Sequence, residues 1–108
     1  MTTLNEREKS FENKFANDQP LQFNVEARCS KLVGLWAASE MGLGDDSIKS
    51  SYAKEVVESN LEEAGYDDVL HKIRTDFEKK GLDISDHIIN EQINKAHAEA
   101  KKQIMEES

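Results

Sequence analysis

The chain is short of the residues that would make it a disulfide scaffold, a sandwich or a membrane protein. It has a single cysteine, Cys29, so no intrachain disulfide can form and a reducing compartment is expected. One proline and five glycines in 108 residues are too few for the many tight turns of an all-β fold. Basic residues are scarce, 14 against 22 acids, and the formal net charge of −8 argues against nucleic acid or an anionic lipid surface as the main partner. No apolar run approaches the length of a membrane span, and the amino terminus lacks the apolar core of a signal peptide. A cytoplasmic protein that does not insert into the membrane is the expectation.

What remains is helical. Hydrophobic residues make up 37% of the chain and charged residues 33%, at a length that suits one domain with a modest core. Thr3-Leu4-Asn5-Glu6 fits a capping box. A helix over about 4–17 would align Leu4, Phe11 and Phe15 in a narrow stripe on an otherwise polar surface. Asn17-Asp18-Gln19-Pro20 breaks that pattern and places Pro20 at the start of the next helix.

From Leu21 to about Met41, the residues Leu21, Val25, Cys29, Leu32, Val33 and Trp36 repeat with helical period, marking the central helix. Asp45-Asp46 caps a third helix with Ile48, Tyr52, Val56, Val57 and Leu61, expected to stop at Gly65. Asp67-Asp68 caps a fourth, with Val69, Leu70, Ile73 and Phe77, ending near Gly81. Ser85 caps a fifth, whose apolar face carries Ile88, Ile89, Ile93, Ala96, Ala100 and Ile104, and whose last turns carry Lys95, Lys101 and Lys102. The expected fold is all-α: a four-helix bundle over 20–108 preceded by a mobile amphipathic arm over 1–19.

The chemistry-bearing patterns do not assemble an active site. Gly42-x-Gly44-x-x-Ser47 lacks the preceding strand of a dinucleotide loop, and Asp45 and Asp46 would repel a pyrophosphate. Ser51-x-x-Lys54 lacks the companion motifs of an acylating serine. Asp83-x-Ser85-Asp86 lacks the glycine and terminal glutamate of a calcium loop. His71, His87 and His97 are too far apart for a metal site, only His87 and Glu91 forming an i, i+4 pair, and read as solvated. Cys29 and Trp36 read as core residues. The chain is expected to be non-enzymatic, with no metal and no required cofactor.

The first twenty residues differ in balance from the rest, holding four acids and three bases, whereas residues 44–70 hold eight acids and two lysines. Periodicity leaves two readings open for Phe11 and Phe15. They form a fifth stripe docked on the bundle, or they are the i, i+4 anchors of a helix presented to a partner's groove. Arg7, Lys9 and Lys14 would add charge pairing around such anchors.

Five blocks carry a family likeness: Arg7-Glu8-Lys9-x-Phe11-Glu12-x-Lys14-Phe15-Ala16, Glu26-Ala27-Arg28-x-x-Lys31-Leu32-x-Gly34-Leu35-Trp36-Ala37-Ala38, Tyr52-Ala53-Lys54-Glu55-Val56-Val57, Asp83-Ile84-Ser85-Asp86-His87 and Gln103-Ile104-Met105. In order and spacing they resemble the ATPase inhibitor zeta subunits of alphaproteobacterial F1Fo ATP synthases. The resemblance implies a four-helix bundle whose mobile amino-terminal arm enters a catalytic alpha/beta interface of F1, contacts the gamma rotor and stops rotation in the hydrolytic direction. On that reading Leu4, Arg7, Glu8, Phe11, Glu12, Lys14 and Phe15 bind the partner, and the protein is peripheral to the inner membrane through the synthase. The resemblance also implies ADP or ATP as a regulatory ligand on the bundle, for which Arg28, Lys31 and Lys54 fall in the matching blocks. Gln19-Pro20 and Cys29 depart from the family pattern, which has acidic and basic residues there. The competing readings are a nucleotide-sensing bundle, or an adaptor, with the amino-terminal helix simply docked.

Overall fold

A computed structural model describes residues 4–61 and 65–107, with side chains from residue 6 onward. The Thr3 half of the expected capping box, and the side chain of Leu4, therefore lie outside the described residues. Among the described residues the only regular elements are five helices: α1 (Leu4–Asn17), α2 (Gln19–Glu40), α3 (Asp46–Ser59), α4 (Asp67–Lys79) and α5 (Asp86–Glu107).

The helix ends follow from local chemistry. Asp18 is the single residue between α1 and α2, and its carboxylate accepts the Leu21 amide at 3.0 Å, with Pro20 in the first turn where it needs no donor. Asp45 caps α3 through the Ile48 amide at 3.0 Å, and Ser85 caps α5 through the Ile88 amide at 3.3 Å. Gly42 and Gly81 take positive φ just past α2 and α4. In each case the two residues from the glycine onward return their amides to the last turn: Gly42 to Ser39 and Leu43 to Ala38, Gly81 to Glu78 and Leu82 to Phe77.

Two expected boundaries are corrected. Helix α3 ends at Ser59, not at Gly65, because the segment after it bonds elsewhere. The Ser59 hydroxyl turns back to the Val56 carbonyl, the Asn60 side chain donates to the Gly65 carbonyl at 2.7 Å, and the Gly65 amide donates to Glu26 on α2 at 3.2 Å. Helix α4 is preceded by Tyr66 with no side-chain cap, so Asp67 and Asp68 lie inside its first turn and act on the helix dipole instead.

Helix α2 is the axis. Val25, Cys29, Val33, Ala37 and Ala38 meet Tyr52 and Val56 of α3, Val69, Ile73 and Phe77 of α4, and Ile89, Ile93 and Ala100 of α5 in one core. The small residues set how close the helices come: a Cβ on Gly34 would lie 2.7 Å from the Cα of Ala53, so α2 and α3 touch backbone to backbone there. Trp36 is half-buried, edge-on to Phe77 at 5.6 Å. Ile48, Leu61 and Ile88, expected on apolar faces, are instead exposed, as is Phe23. None of the core cluster comes from α1.

Candidate functional site

Helix α1 lies against α2 and α5, and its aromatic stripe faces inward. Phe11 is only 9% exposed and Phe15 is half-buried, their rings stacked at 6.5 Å between centroids. The seat is a run of α5 side chains four residues apart: His97, Lys101 and Met105. His97 meets the Phe15 ring edge-on at 6.0 Å, and the Lys101 ammonium stands 4.5 Å from the Phe15 centroid. The same ammonium reaches both carboxylate oxygens of Glu12, at 2.6 and 2.8 Å. Arg7 donates to the Met105 carbonyl at 2.9 Å. A cation there faces the negative end of the α5 dipole. The side-chain Nε2 of Gln22 on α2 donates to the Phe15 carbonyl at 2.7 Å, closing the far end of the arm. Between arm and α5 runs an open groove of about 420 Å3 lined by Phe11, Glu12, His97, Lys101 and Met105, among others. Glu8 is exposed at the edge of that groove, and Lys9 and Lys14 are exposed as well.

His97 corrects the reading of all three histidines as solvated. It is partly buried, its Nδ1 lies 2.7 Å from the Tyr66 hydroxyl, and the Tyr66 ring meets it edge-on at 5.6 Å. Burial, then the nearby Lys101 charge, holds its pKa below the ordinary imidazole value. Behind Tyr66, burial pushes the Cys29 thiol up to about 11, so it is neutral and inert. His71 and His87 are exposed, and His87 pairs with Glu91 at 3.2 Å. Among the described residues no group of three or more His, Cys, Asp or Glu side chains could hold a metal ion. Among the described residues no helix is long and apolar enough to cross a membrane.

Of the three basic residues in the matching blocks, Arg28 and Lys31 line one shallow groove of about 410 Å3, together with Asn24, Val57 and Glu107. Lys54 is exposed on α3 and does not line it. Arg28 is already engaged: it grips the Glu107 carboxylate with two bonds, at 2.7 and 3.1 Å, and the Gln103 amide oxygen at 3.1 Å. This fork ties α2 to the end of α5, where the acids Glu106 and Glu107 oppose the dipole.

The residues that linear reading missed are His97, Lys101 and Met105. Their spacing of four along α5 was visible, but each alone reads as an ordinary surface or core position.

A family model described as ATPase inhibitor subunit zeta matches residues 1–103. A solved solution NMR structure is 38% identical, its alignment covering 82% of this chain and 99% of that one, with a TM-score of 0.68. No curated protein matches the chain.

Proposed function

Because the chain belongs to the ATPase inhibitor subunit zeta family, we propose that it suppresses ATP hydrolysis by the F1 motor of an ATP synthase with its amino-terminal arm. Residues 1–19 are the inhibitory segment, and residues 20–108 the platform that carries it. The arm swings from α5 into a catalytic alpha/beta interface and against the gamma rotor. There Phe11 and Phe15, with Leu4 continuing the stripe, bury in an apolar cleft. Arg7, Glu8, Glu12 and Lys14 pair with its walls. The protein performs no chemistry of its own.

The observation that carries this reading is the separateness of α1. Its two aromatic rings are the largest apolar groups on an otherwise polar helix, yet neither belongs to the buried cluster shared by α2–α5, against which Phe15 packs from outside as a partly buried ring. Each buried ring is worth roughly 1.5–3 kcal/mol against water. That is enough to seat the arm on α5 or in another protein, but not to make it indispensable for folding. Asp18 alone joins arm and platform, so a change of backbone angles at one residue can redirect the whole helix.

ADP or ATP is assigned to the Arg28–Lys31 groove as a regulatory ligand rather than a substrate. Its phosphates would have to displace Glu107 from Arg28.

The deciding experiment is ATP hydrolysis by cognate F1 with the full chain and with a chain lacking residues 1–18. The full chain inhibits; the truncated one stays helical and does not. Equal inhibition by both overturns the proposal. The second reading, a sensor or adaptor with α1 permanently docked, draws on the buried position of Phe11. It requires the amides of residues 6–17 to be protected from hydrogen exchange as strongly as those of α2.

A further inference from the structure

The contacts that seat the arm use the same side chains that the inhibitory reading gives to the partner. Phe11, Phe15, Glu12 and Arg7 all face α5 or its carbonyls. One helix face cannot occupy two sites at once, so docking on α5 and insertion elsewhere compete. We propose that the α5 seat is an autoinhibitory clasp with Lys101 as its latch, so that the protein rests in a closed form whose arm must be freed before it can act. This rests on the reading of α1 as the inhibitory arm.

Lys101 is singled out by geometry. Its one ammonium serves two arm residues, lying over the Phe15 ring at 4.5 Å and on the Glu12 carboxylate at 2.6 Å. Its side chain is 20% exposed, so the charge is held partly out of water by the arm it binds. A cation near a ring and a carboxylate at once fixes the rotation of α1 about its axis, which keeps the aromatic stripe turned inward. The neighbouring Lys102 is exposed at the rim of the same groove and carries the same charge, but among the described residues it makes no ion pair and no cation–ring contact. The Arg7 guanidinium on the Met105 carbonyl and His97 against the Phe15 ring complete the clasp.

The consequence is arithmetic. When only a fraction of the molecules is open, apparent affinity for the target equals the intrinsic affinity multiplied by that fraction. Loosening the clasp therefore makes a stronger inhibitor, the reverse of what loss of a partner-binding residue does. A surface ion pair and a partly exposed cation–ring contact together support a change of about fivefold in the open fraction.

The test compares full-length wild type with Lys101→Gln and, as a charge-matched control, Lys102→Gln. Glutamine keeps the helix propensity and most of the stem, and thermal unfolding checks that α2–α5 remain folded. Two readouts are taken: hydrogen exchange of the amides of residues 6–17 in the isolated protein, and the concentration that half-inhibits ATP hydrolysis by cognate F1. Lys101→Gln is expected to exchange about fivefold faster in the arm alone and to inhibit at about fivefold lower concentration, with Lys102→Gln like wild type. Unchanged arm exchange in Lys101→Gln removes the latch. Faster exchange with unchanged or weaker inhibition removes the autoinhibition, because the freed arm then gains nothing. Wild type that fails to inhibit F1 at all overturns the inhibitor reading itself and the autoinhibition with it, an outcome that the hydrolysis assay registers separately from the exchange data.

Discussion

The hydroxyl of Tyr66 lies 2.7 Å from Nδ1 of His97, and this bond holds a titratable ring directly beneath the amino-terminal helix. The charged groups around that ring are Glu12 on α1, Glu26 on α2 and Lys101 on α5. Burial and Lys101 outweigh the two carboxylates and depress the His97 pKa below its ordinary value.

A depressed imidazole pKa means that the folded protein binds fewer protons than the unfolded chain near that value. The stability it contributes is complete above the ordinary imidazole pKa of about 6.5 and is lost as pH falls through the folded value. Acidification should therefore loosen the structure around Phe15. His97 titration followed by NMR checks this: the midpoint lies below ordinary in the full chain and rises when residues 1–18 are removed. An unmoved midpoint would mean that the arm takes no part in burying the ring.

Gly34→Ala tests the backbone contact between α2 and α3. Alanine gains about 1 kcal/mol of helix propensity over glycine. Its Cβ, however, would lie 2.7 Å from the Ala53 Cα, backbone that cannot swing aside. Overpacking of this kind costs typically 1–3 kcal/mol, so a net loss of stability is expected, seen as a fall in the thermal midpoint. A higher midpoint would show that the two helices separate at little cost.

Phe11→Ala and Phe77→Ala should separate arm from core. Phe77 is 1% exposed at the centre of the cluster, and truncating it costs about 3–5 kcal/mol. Phe11 is nearly as buried but sits outside that cluster, so its loss frees α1 locally and lowers the global midpoint far less. Its effect should appear in F1 inhibition instead. Equal losses of stability from the two variants would make α1 an integral part of the core.

The elements were legible in the sequence because their signals are local. Pro20, Asp45 and Ser85 announce helix starts, and Gly81 announces a stop, through chemistry that spans only a few residues. The early end of α3 was not legible, since it depends on Glu26 taking the Gly65 amide from 39 residues away. The seat of the arm was hidden for the same reason: Glu12 and Lys101 are 89 residues apart, and nothing in the linear order pairs them. Ile48 and Ile88 misled because periodicity defines a stripe without its width, and both sit on the exposed margin. For Arg28, the sequence showed a basic residue but not that Glu107 already occupies it.

That pairing yields a prediction for the nucleotide proposal. The hydrogen bond from Arg28 holds the Glu107 carboxyl below its ordinary range, and an incoming phosphate must compete with it. Glu107→Gln should therefore tighten ADP binding, while Lys54→Gln, outside the groove, should leave it unchanged. Amide shifts of Arg28 and Lys31 during ADP titration report the result. If those amides stay still in both wild type and Glu107→Gln, the groove is a structural tie and not a site.

Ser30 is 1% exposed on α2, and among the described residues its hydroxyl has no hydrogen-bond partner. A hydroxyl carried out of water without a partner costs roughly 1–3 kcal/mol, whereas the volume lost on replacing it with alanine is one oxygen atom. Alanine also favours the helix by a few tenths of a kcal/mol. Ser30→Ala should thus raise stability by about 1 kcal/mol, measured as a higher urea midpoint with an unchanged slope. Because the change lies away from the arm seat, F1 inhibition should not move. A lower midpoint would mean that the hydroxyl is bonded in solution, most simply by a water in the small adjoining cavity of about 10 Å3 between Ser30, Ala27 and Val57.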